Sequence, residues 1–148
     1  MHILAIAIFA ASTPASASTI NLRCIAERGV PVASKKGEVT MRKSSYPISY
    51  TIDVARRSVT STTKLGTGTT TDGDANGNVS RASIKIDANG LEMLTYNNLM
   101  VGGFTRTGKL TLSSDWTKGV SESSTFQNGR FLKAETIAIS CTVEDIQE

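Results

Sequence analysis

The strongest constraint on this chain is a strand pattern that places one cysteine near each end. Residues 136–143 read TIAISCTV, in which apolar side chains, Cys141 among them, occupy every second position. Residues 19–26, TINLRCIA, show the same period with Cys24 on the apolar side. A two-residue period is typical of strands that are buried on one face. The pattern predicts that the first and last strands lie side by side, joined by a Cys24–Cys141 disulfide; two separate buried thiols are the alternative.

The first 17 residues differ in kind from the rest. An uninterrupted apolar run, residues 3–11, is followed by Ala15-Ser16-Ala17, a small-x-small pattern that signal peptidase accepts. The run is too short to span a bilayer. We therefore expect a signal peptide over residues 1–17 and a mature protein that begins at Ser18, is periplasmic or secreted, and has no integral membrane segment. A buried strand or helix is the alternative for this run.

Residues 18–148 are predicted to form a single all-β domain. Ser, Thr and Gly are the common polar residues, and short alternating runs are separated by turn-forming pairs. Asn89-Gly90, Thr107-Gly108 and Asn128-Gly129 predict two-residue hairpin loops, while Gly102-Gly103 predicts a bulge or tight bend inside a strand. We expect eight or nine short strands in a small antiparallel meander barrel, because closure pairs the first strand with the last. A β-sandwich is the runner-up.

Three stretches carry further local predictions. Residues 27–36 are expected to form a loop, and residues 37–42 a short strand with Val39 and Met41 facing the core. Residues 64–80 are rich in Gly, Thr, Asp and Asn, which predicts a long exposed loop.

The composition excludes most catalytic chemistry. The only histidine, His2, lies in the predicted signal peptide, so the mature chain offers no imidazole as a base or metal ligand. A glycine-rich phosphate loop is also absent from the sequence. We therefore expect a protein that is not an enzyme and that holds no cofactor other than a weakly bound calcium ion, considered below.

The formal net charge of +3 is a mild excess. Basic residues are scattered, and the doublets Lys35-Lys36, Arg42-Lys43 and Arg56-Arg57 fall in or beside predicted turns. A nucleic-acid interface needs a clustered basic face with stacking aromatic side chains, so nucleic acid is not an expected partner. A weak attraction to anionic envelope surfaces is compatible with this charge.

Residues 72–80 resemble the first nine positions of an EF-hand calcium loop. Asp72, Asp74 and Asn76 fall at the first, third and fifth ligand positions, and Asn78 falls where the ligand is a backbone carbonyl. Position twelve is serine rather than a bidentate glutamate. We expect weak calcium binding by these four residues; the alternative is an exposed turn that is rich in Asp, Asn and Gly because those residues suit turns.

Trp116, the only tryptophan, follows a predicted strand in the sequence Asp-Trp-Thr-Lys-Gly. The simpler interpretation is that it fills the core or anchors its loop. A tryptophan beside Lys118 in an exposed loop is also a typical binding anchor. Trp116 and Lys118 are therefore candidate binding residues.

The chain resembles two groups of exported proteins. Residues 104–110, FTRTGKL, together with the export signal and the two terminal cysteines, are similar to small uncharacterised exported β-barrel proteins of proteobacteria. Trp-x-Lys-Gly at residues 116–119 resembles periplasmic lysozyme-inhibitor barrels, although the Ser-Gly-x-x-Tyr inhibitory loop of that family has no counterpart here. The first resemblance implies a small barrel with no assigned activity, and the second implies an inhibitor.

Two functional hypotheses follow. The first is an exported, non-enzymatic β-barrel that binds a small molecule or a component of the cell envelope. The second is a protein-binding inhibitor of a hydrolase, such as lysozyme or a secreted protease, which would present residues 114–120 or 64–80 to its partner.

Overall fold

A computed structural model describes residues 19–73, 80–99 and 101–147; the predicted signal peptide, residues 1–17, lies outside them. The described residues form nine strands and one 3-10 turn (Val101–Gly103). The strands are β1 (Thr19–Ala33), β2 (Val39–Asp53), β3 (Ser58–Thr63), β4 (Gly66–Thr71), β5 (Ser80–Asp87), β6 (Gly90–Leu99), β7 (Phe104–Leu112), β8 (Lys118–Gln127) and β9 (Arg130–Gln147).

The nine strands form one sheet in the order β4-β3-β2-β1-β9-β8-β7-β6-β5, with eight antiparallel ladders. Every ladder except β1–β9 joins strands that are consecutive in the sequence. The sheet curls into a nearly closed barrel. The predicted all-β meander barrel is therefore confirmed.

The odd number of strands explains where the barrel stays open. Eight antiparallel ladders separate β4 from β5, so these two strands run in the same direction. Parallel strands cannot be joined by a tight hairpin, and the described residues contain no ladder between β4 and β5. The gap between these two strands is called the seam below.

Asp72 bridges the seam. One of its carboxylate oxygens accepts a hydrogen bond from the Ile84 amide of β5, and the other accepts one from the Arg57 guanidinium, both at 2.8 Å. The amide of Gly73 donates to the carbonyl oxygen of Ala82 at 2.9 Å. The Ile84 amide, followed by Arg57, lowers the pKa of the Asp72 carboxyl below its ordinary value, because both donors favour the charged form.

The pairing of β1 with β9 and the disulfide are both confirmed. Cys24 lies directly opposite Cys141 in the ladder, with Cα atoms 4.0 Å apart. The bond closes a loop of 117 residues. In the chain-entropy model, cross-linking a loop of this length stabilises the folded state by about 5 kcal/mol.

Apolar side chains at alternate strand positions form one core inside the barrel. Its buried members come from β1, β2, β3, β5, β6, β7 and β9: Ile20, Leu22, Cys24, Ala26, Tyr50, Ile52, Val59, Ile84, Leu91, Leu110, Leu112 and Ile139. The apolar face predicted for residues 136–143 is part of this core or packs against it.

Two glycine signals have roles other than those predicted. Thr107-Gly108, predicted as a hairpin loop, lies inside β7. The chain turns instead at Gly102 and Gly103, whose φ angles are +76° and +65°, a conformation that glycine adopts without steric cost. The predicted bulge is therefore a turn between strands. The hairpin with Asn128-Gly129 as its two-residue loop is confirmed. A two-residue hairpin also joins β5 to β6, but its loop is Ala88-Asn89 rather than Asn89-Gly90, because Asp87 pairs with Gly90.

The first hairpin is longer than predicted. The loop predicted at residues 27–36 is wrong for most of its length, because β1 continues to Ala33 and stays paired with β2. Val39 and Met41, predicted to face the core, are 67% and 69% exposed. The reason is that β2 is one continuous strand from Val39 to Asp53, so its alternation places these two residues on the face opposite the buried Tyr50 and Ile52.

The long loop predicted at residues 64–80 is wrong in part, because β4 occupies Gly66–Thr71. This strand has no apolar side chain to reveal a strand pattern. Hydroxyl–hydroxyl hydrogen bonds link Thr60 to Thr69 at 2.9 Å and Thr62 to Thr67 at 3.1 Å. Cross-strand threonine pairs of this kind stabilise a ladder without apolar burial.

Replacing both cysteines by alanine should lower the free energy of unfolding by about 2–5 kcal/mol, because the unfolded chain is no longer cross-linked. Urea unfolding followed by circular dichroism measures the change. Wild-type protein kept in a reducing agent should unfold at the midpoint of the double variant. Equal midpoints for the oxidised wild type and the double variant would contradict the prediction.

Asp72→Ala should make the Ile84 amide exchange with solvent faster, because that amide loses its acceptor at the seam. Hydrogen exchange followed by NMR measures this directly. Asp53→Ala is a matched control, since the Asp53 carboxylate accepts a hydrogen bond from the nearby Arg56 amide and forms an ion pair with the Arg56 guanidinium, both within one turn. Unchanged exchange at Ile84 would show that Asp72 does not hold the seam in solution.

Candidate functional site: a polar cavity inside the barrel

The inward-facing side chains change from apolar to polar along the strands. An apolar inward row crosses β6, β7, β8 and β9 through Leu91, Leu112, Gly119 and Ile139. Four residues further along each of these strands, the inward row is polar. It consists of Thr95, Gly108, Ser123 and Glu135. The core therefore fills only part of the barrel.

A cavity of about 190 Å³ lies beside this polar row and is called the polar cavity below. Met93 and Leu110 form its apolar side, and its polar lining includes Asn97, Arg106 and Ser121. Pockets for drug-sized ligands have volumes of about 300–1,000 Å³. The polar cavity is smaller and therefore suits a smaller molecule or one group of a larger one.

Arg106 supplies a positive charge to the polar cavity. Its Nη2 donates a hydrogen bond to Ser123 Oγ at 3.2 Å. In the part of the chain that the structure describes, no carboxylate lies within ion-pair distance of Arg106. A guanidinium has five N–H donors, so most of them remain free to bind an acidic group.

Glu135, the acidic member of the polar row, is already paired. Its Oε1 lies 3.2 Å from Nη1 of Arg28, and its side chain is 26% exposed. Glu135 is the ladder partner of Ser123, so this ion pair lies next to the serine that Arg106 contacts. The Arg28–Glu135 pair therefore neutralises the acid without neutralising Arg106.

Gly108 keeps the middle of the polar row open. A Cβ atom at this position would lie 2.6 Å from Oγ1 of Thr95, which is too close for a real contact. Any larger side chain would extend across the row. The glycine that looks like a turn signal in the sequence is thus required by the close packing of β6 and β7.

Arg106 and Ser123 are not among the residues predicted from the sequence, although the alternation along β7 points to Arg106. Arg106 and Gly108 occupy the same alternate positions of β7 as Leu110 and Leu112, so they face the same side of the sheet. A row that continues from leucine to glycine and arginine marks the point where an interior becomes polar.

The two predicted binding residues lie on different surfaces. Trp116 packs half-buried against the core, as its simpler interpretation predicts. Lys118 is exposed and lines a groove of about 650 Å³ on the outer face, together with Val120 and Ala138. Neither residue lines the polar cavity, and their role in binding stays a prediction.

The loop that carries Trp116 is fixed by Asp115. The Asp115 carboxylate accepts hydrogen bonds from the Ser113 hydroxyl at 2.5 Å and from the Thr117 hydroxyl and amide at 2.9 and 3.1 Å. These donors, Ser113 first, lower the pKa of Asp115 to about 2. The network holds Trp116 at a φ of +61°, which is uncommon for a residue with a side chain.

The calcium prediction is only partly within the described residues. Asp72 is described, and both of its carboxylate oxygens are occupied at the seam. Asp74, Asn76 and Asn78 lie outside the described residues. Among the described residues, no three His, Cys, Asp or Glu side chains converge as a metal site. Calcium binding by this loop stays a prediction.

No family model matches the chain, and no curated protein matches it significantly. Within the described ranges, the structure contains no helix of the length and hydropathy that crossing a membrane requires.

Lowering the pH should release the Trp116 loop. Because the folded-state pKa of Asp115 lies below its ordinary value of 3.8, its contribution to stability is complete above about pH 4 and is lost as the pH falls towards about 2. Trp116 fluorescence should keep its wavelength down to about pH 4 and shift to the red below it. Asp115→Ala should show the red-shifted emission already at neutral pH, and wild-type emission in that variant would contradict the assignment.

Proposed function

We propose that the protein is an exported, non-enzymatic binding module that takes a small polar molecule, or one group of a cell-envelope component, into the polar cavity. The observation that carries this proposal is the change from an apolar to a polar interior within one barrel. Arg106, unpaired with any described carboxylate, suits a ligand with a carboxylate, phosphate or sulfate group.

The composition of the interior supports a binding role. Small barrels without a ligand fill their interior with side chains. Here the apolar packing ends at Met93 and Leu110, and the next two inward positions of the same strands are small or polar: Thr95 and Asn97 on β6, Gly108 and Arg106 on β7. An interior with an apolar floor and a few polar and charged groups is the usual composition of a small-molecule site.

The charged groups of the polar cavity favour binding over catalysis. Arg106 offers N–H donors and no acceptor, so it suits the binding of an acidic group. Glu135 is engaged by Arg28.

Export is part of the proposal. The apolar run and small-x-small pattern of residues 1–17 support it, and so does the Cys24–Cys141 disulfide, since disulfides persist mainly in oxidising compartments. A periplasmic or secreted location follows from the same two features.

Ser123→Leu should abolish ligand binding, because the larger side chain fills the polar cavity. A thermal-shift panel of small carboxylates, phosphates, sulfates and neutral sugars measures this. At a ligand concentration of one hundred times Kd, the wild-type protein should gain about 2.7 kcal/mol of stability. Arg106→Gln should lose the response to acidic compounds.

Ser124→Leu is the matched control, since Ser124 is the next residue of β8, points to the opposite face of the sheet by alternation, and does not line the polar cavity. It should respond to the panel as the wild-type protein does. No response of the wild-type protein to any compound class, or an equal response of the Ser123 and Ser124 variants, would exclude the cavity as the binding site.

A further inference from the structure

The hairpin of β1 and β2 extends beyond the barrel as a two-stranded arm, residues 29–43. The β1–β9 ladder ends at Arg28, and the β2–β3 ladder begins only at Ser49. The β1–β2 ladder continues to Ala33 opposite Val39. Within the described residues, the arm therefore has no third strand on either side.

The arm exposes apolar side chains to solvent. Pro31, Ala33, Val39 and Met41 share its outer face by the alternation of the two strands. Val39 is 67% exposed and Met41 is 69% exposed, while Val32 on the opposite face is 41% exposed. A two-stranded ribbon is marginally stable alone in water, and grouped exposed apolar side chains mark an interaction site.

The arm also carries the whole net charge of the protein. It contains four Lys or Arg residues and one Glu, a net charge of +3, and the other 12 basic and 12 acidic residues of the chain cancel. Lys43 has a distant partner, Glu27 at 3.9 Å. Lys35, Lys36 and Arg42 have no ion-pair partner among the described residues.

The tip of the arm is an ordered turn that displays two lysines. Ser34 Oγ accepts hydrogen bonds from the amides of Lys36 and Glu38, both at 3.2 Å. The amide of Ser34 donates to the Glu38 carbonyl oxygen at 2.8 Å. Gly37, with a φ of +80°, completes the turn. Lys35 and Lys36 are therefore held at a defined place beside the apolar face.

We propose that this arm docks the protein onto an anionic lipid bilayer. Anionic headgroups complement the basic side chains of the arm, and the interfacial region of the bilayer accepts Val39 and Met41. A second copy of the chain would bring two arms of charge +3 together, which is unfavourable. The proposal is independent of the ligand of the polar cavity.

Co-sedimentation of the mature protein, residues 18–148, with vesicles tests the proposal. The protein should bind vesicles of phosphatidylglycerol and phosphatidylcholine, should not bind vesicles of phosphatidylcholine alone, and should be released by salt. Lys35→Gln/Lys36→Gln should weaken binding about 25-fold, since each charge near an anionic surface contributes about fivefold. Val39→Ser/Met41→Ser should weaken it at least tenfold.

Two control variants lie on the barrel. Arg23→Gln/Lys85→Gln removes two exposed charges, and Ile146→Ser removes an apolar side chain that is 50% exposed. Both should bind vesicles as the wild-type protein does. Circular dichroism should be the same for all variants, because every changed side chain is exposed.

Equal binding to both vesicle types, or wild-type binding by the arm variants, would overturn the proposal. A concentration-dependent dimer without lipid that Met41→Ser abolishes would assign the arm to self-association instead. The thermal-shift panel tests ligand binding in the polar cavity, and vesicle co-sedimentation tests docking by the arm, so the two proposals fail separately.

Discussion

The ladder between β1 and β9 is the interaction on which the rest of the structure depends. It joins two meanders, β1–β4 and β5–β9, that are each built from local hairpins. Without it, the backbone of the described residues would join the two meanders through the seam alone, where the Asp72 side chain and one backbone hydrogen bond replace a ladder. The disulfide lies in the middle of this ladder, with Cys24 in the core, and therefore fixes the register that brings both halves of the core together.

The polar cavity and the arm belong to the same end of the barrel. The arm continues β1 beyond its last partner on β9. In the antiparallel ladders, this end of β1 lies at the same end of the barrel as the start of β9, the end of β8 and the start of β7. Arg106 is the third residue of β7. A protein docked by its arm would hold this polar end near the bilayer surface, where molecules with acidic headgroups are concentrated.

Much of the fold could be predicted because alternation and turn chemistry are local. The apolar faces around Cys24 and Cys141 and the Asn128-Gly129 turn depend on neighbouring residues only. Val39 and Met41 were misplaced because the sequence does not show that residues 39–53 form one continuous strand, and that continuity fixes which face each of them occupies. Gly108 was misread as a turn because its requirement, the proximity of Thr95, comes from another strand.

The candidate site was harder to predict than the fold. No motif marks Arg106 and Ser123, because they meet only through the register of β7 and β8. The calcium-like loop offered a clear motif, yet its first residue, Asp72, serves the seam. Motifs describe chemistry that is contiguous in sequence, whereas a site inside a meander barrel is assembled from one or two residues of each strand.

The position of β9 next to β1 has a consequence for synthesis. At about 5–20 residues per second, the 117 residues between the two cysteines take roughly 6–23 s to make. Throughout that time one edge of β1 lacks its native partner, and the core around Ile20 and Leu22 is incomplete. The barrel can be finished only after its last strand is made, so the edge at the centre of the sheet is the last to be paired.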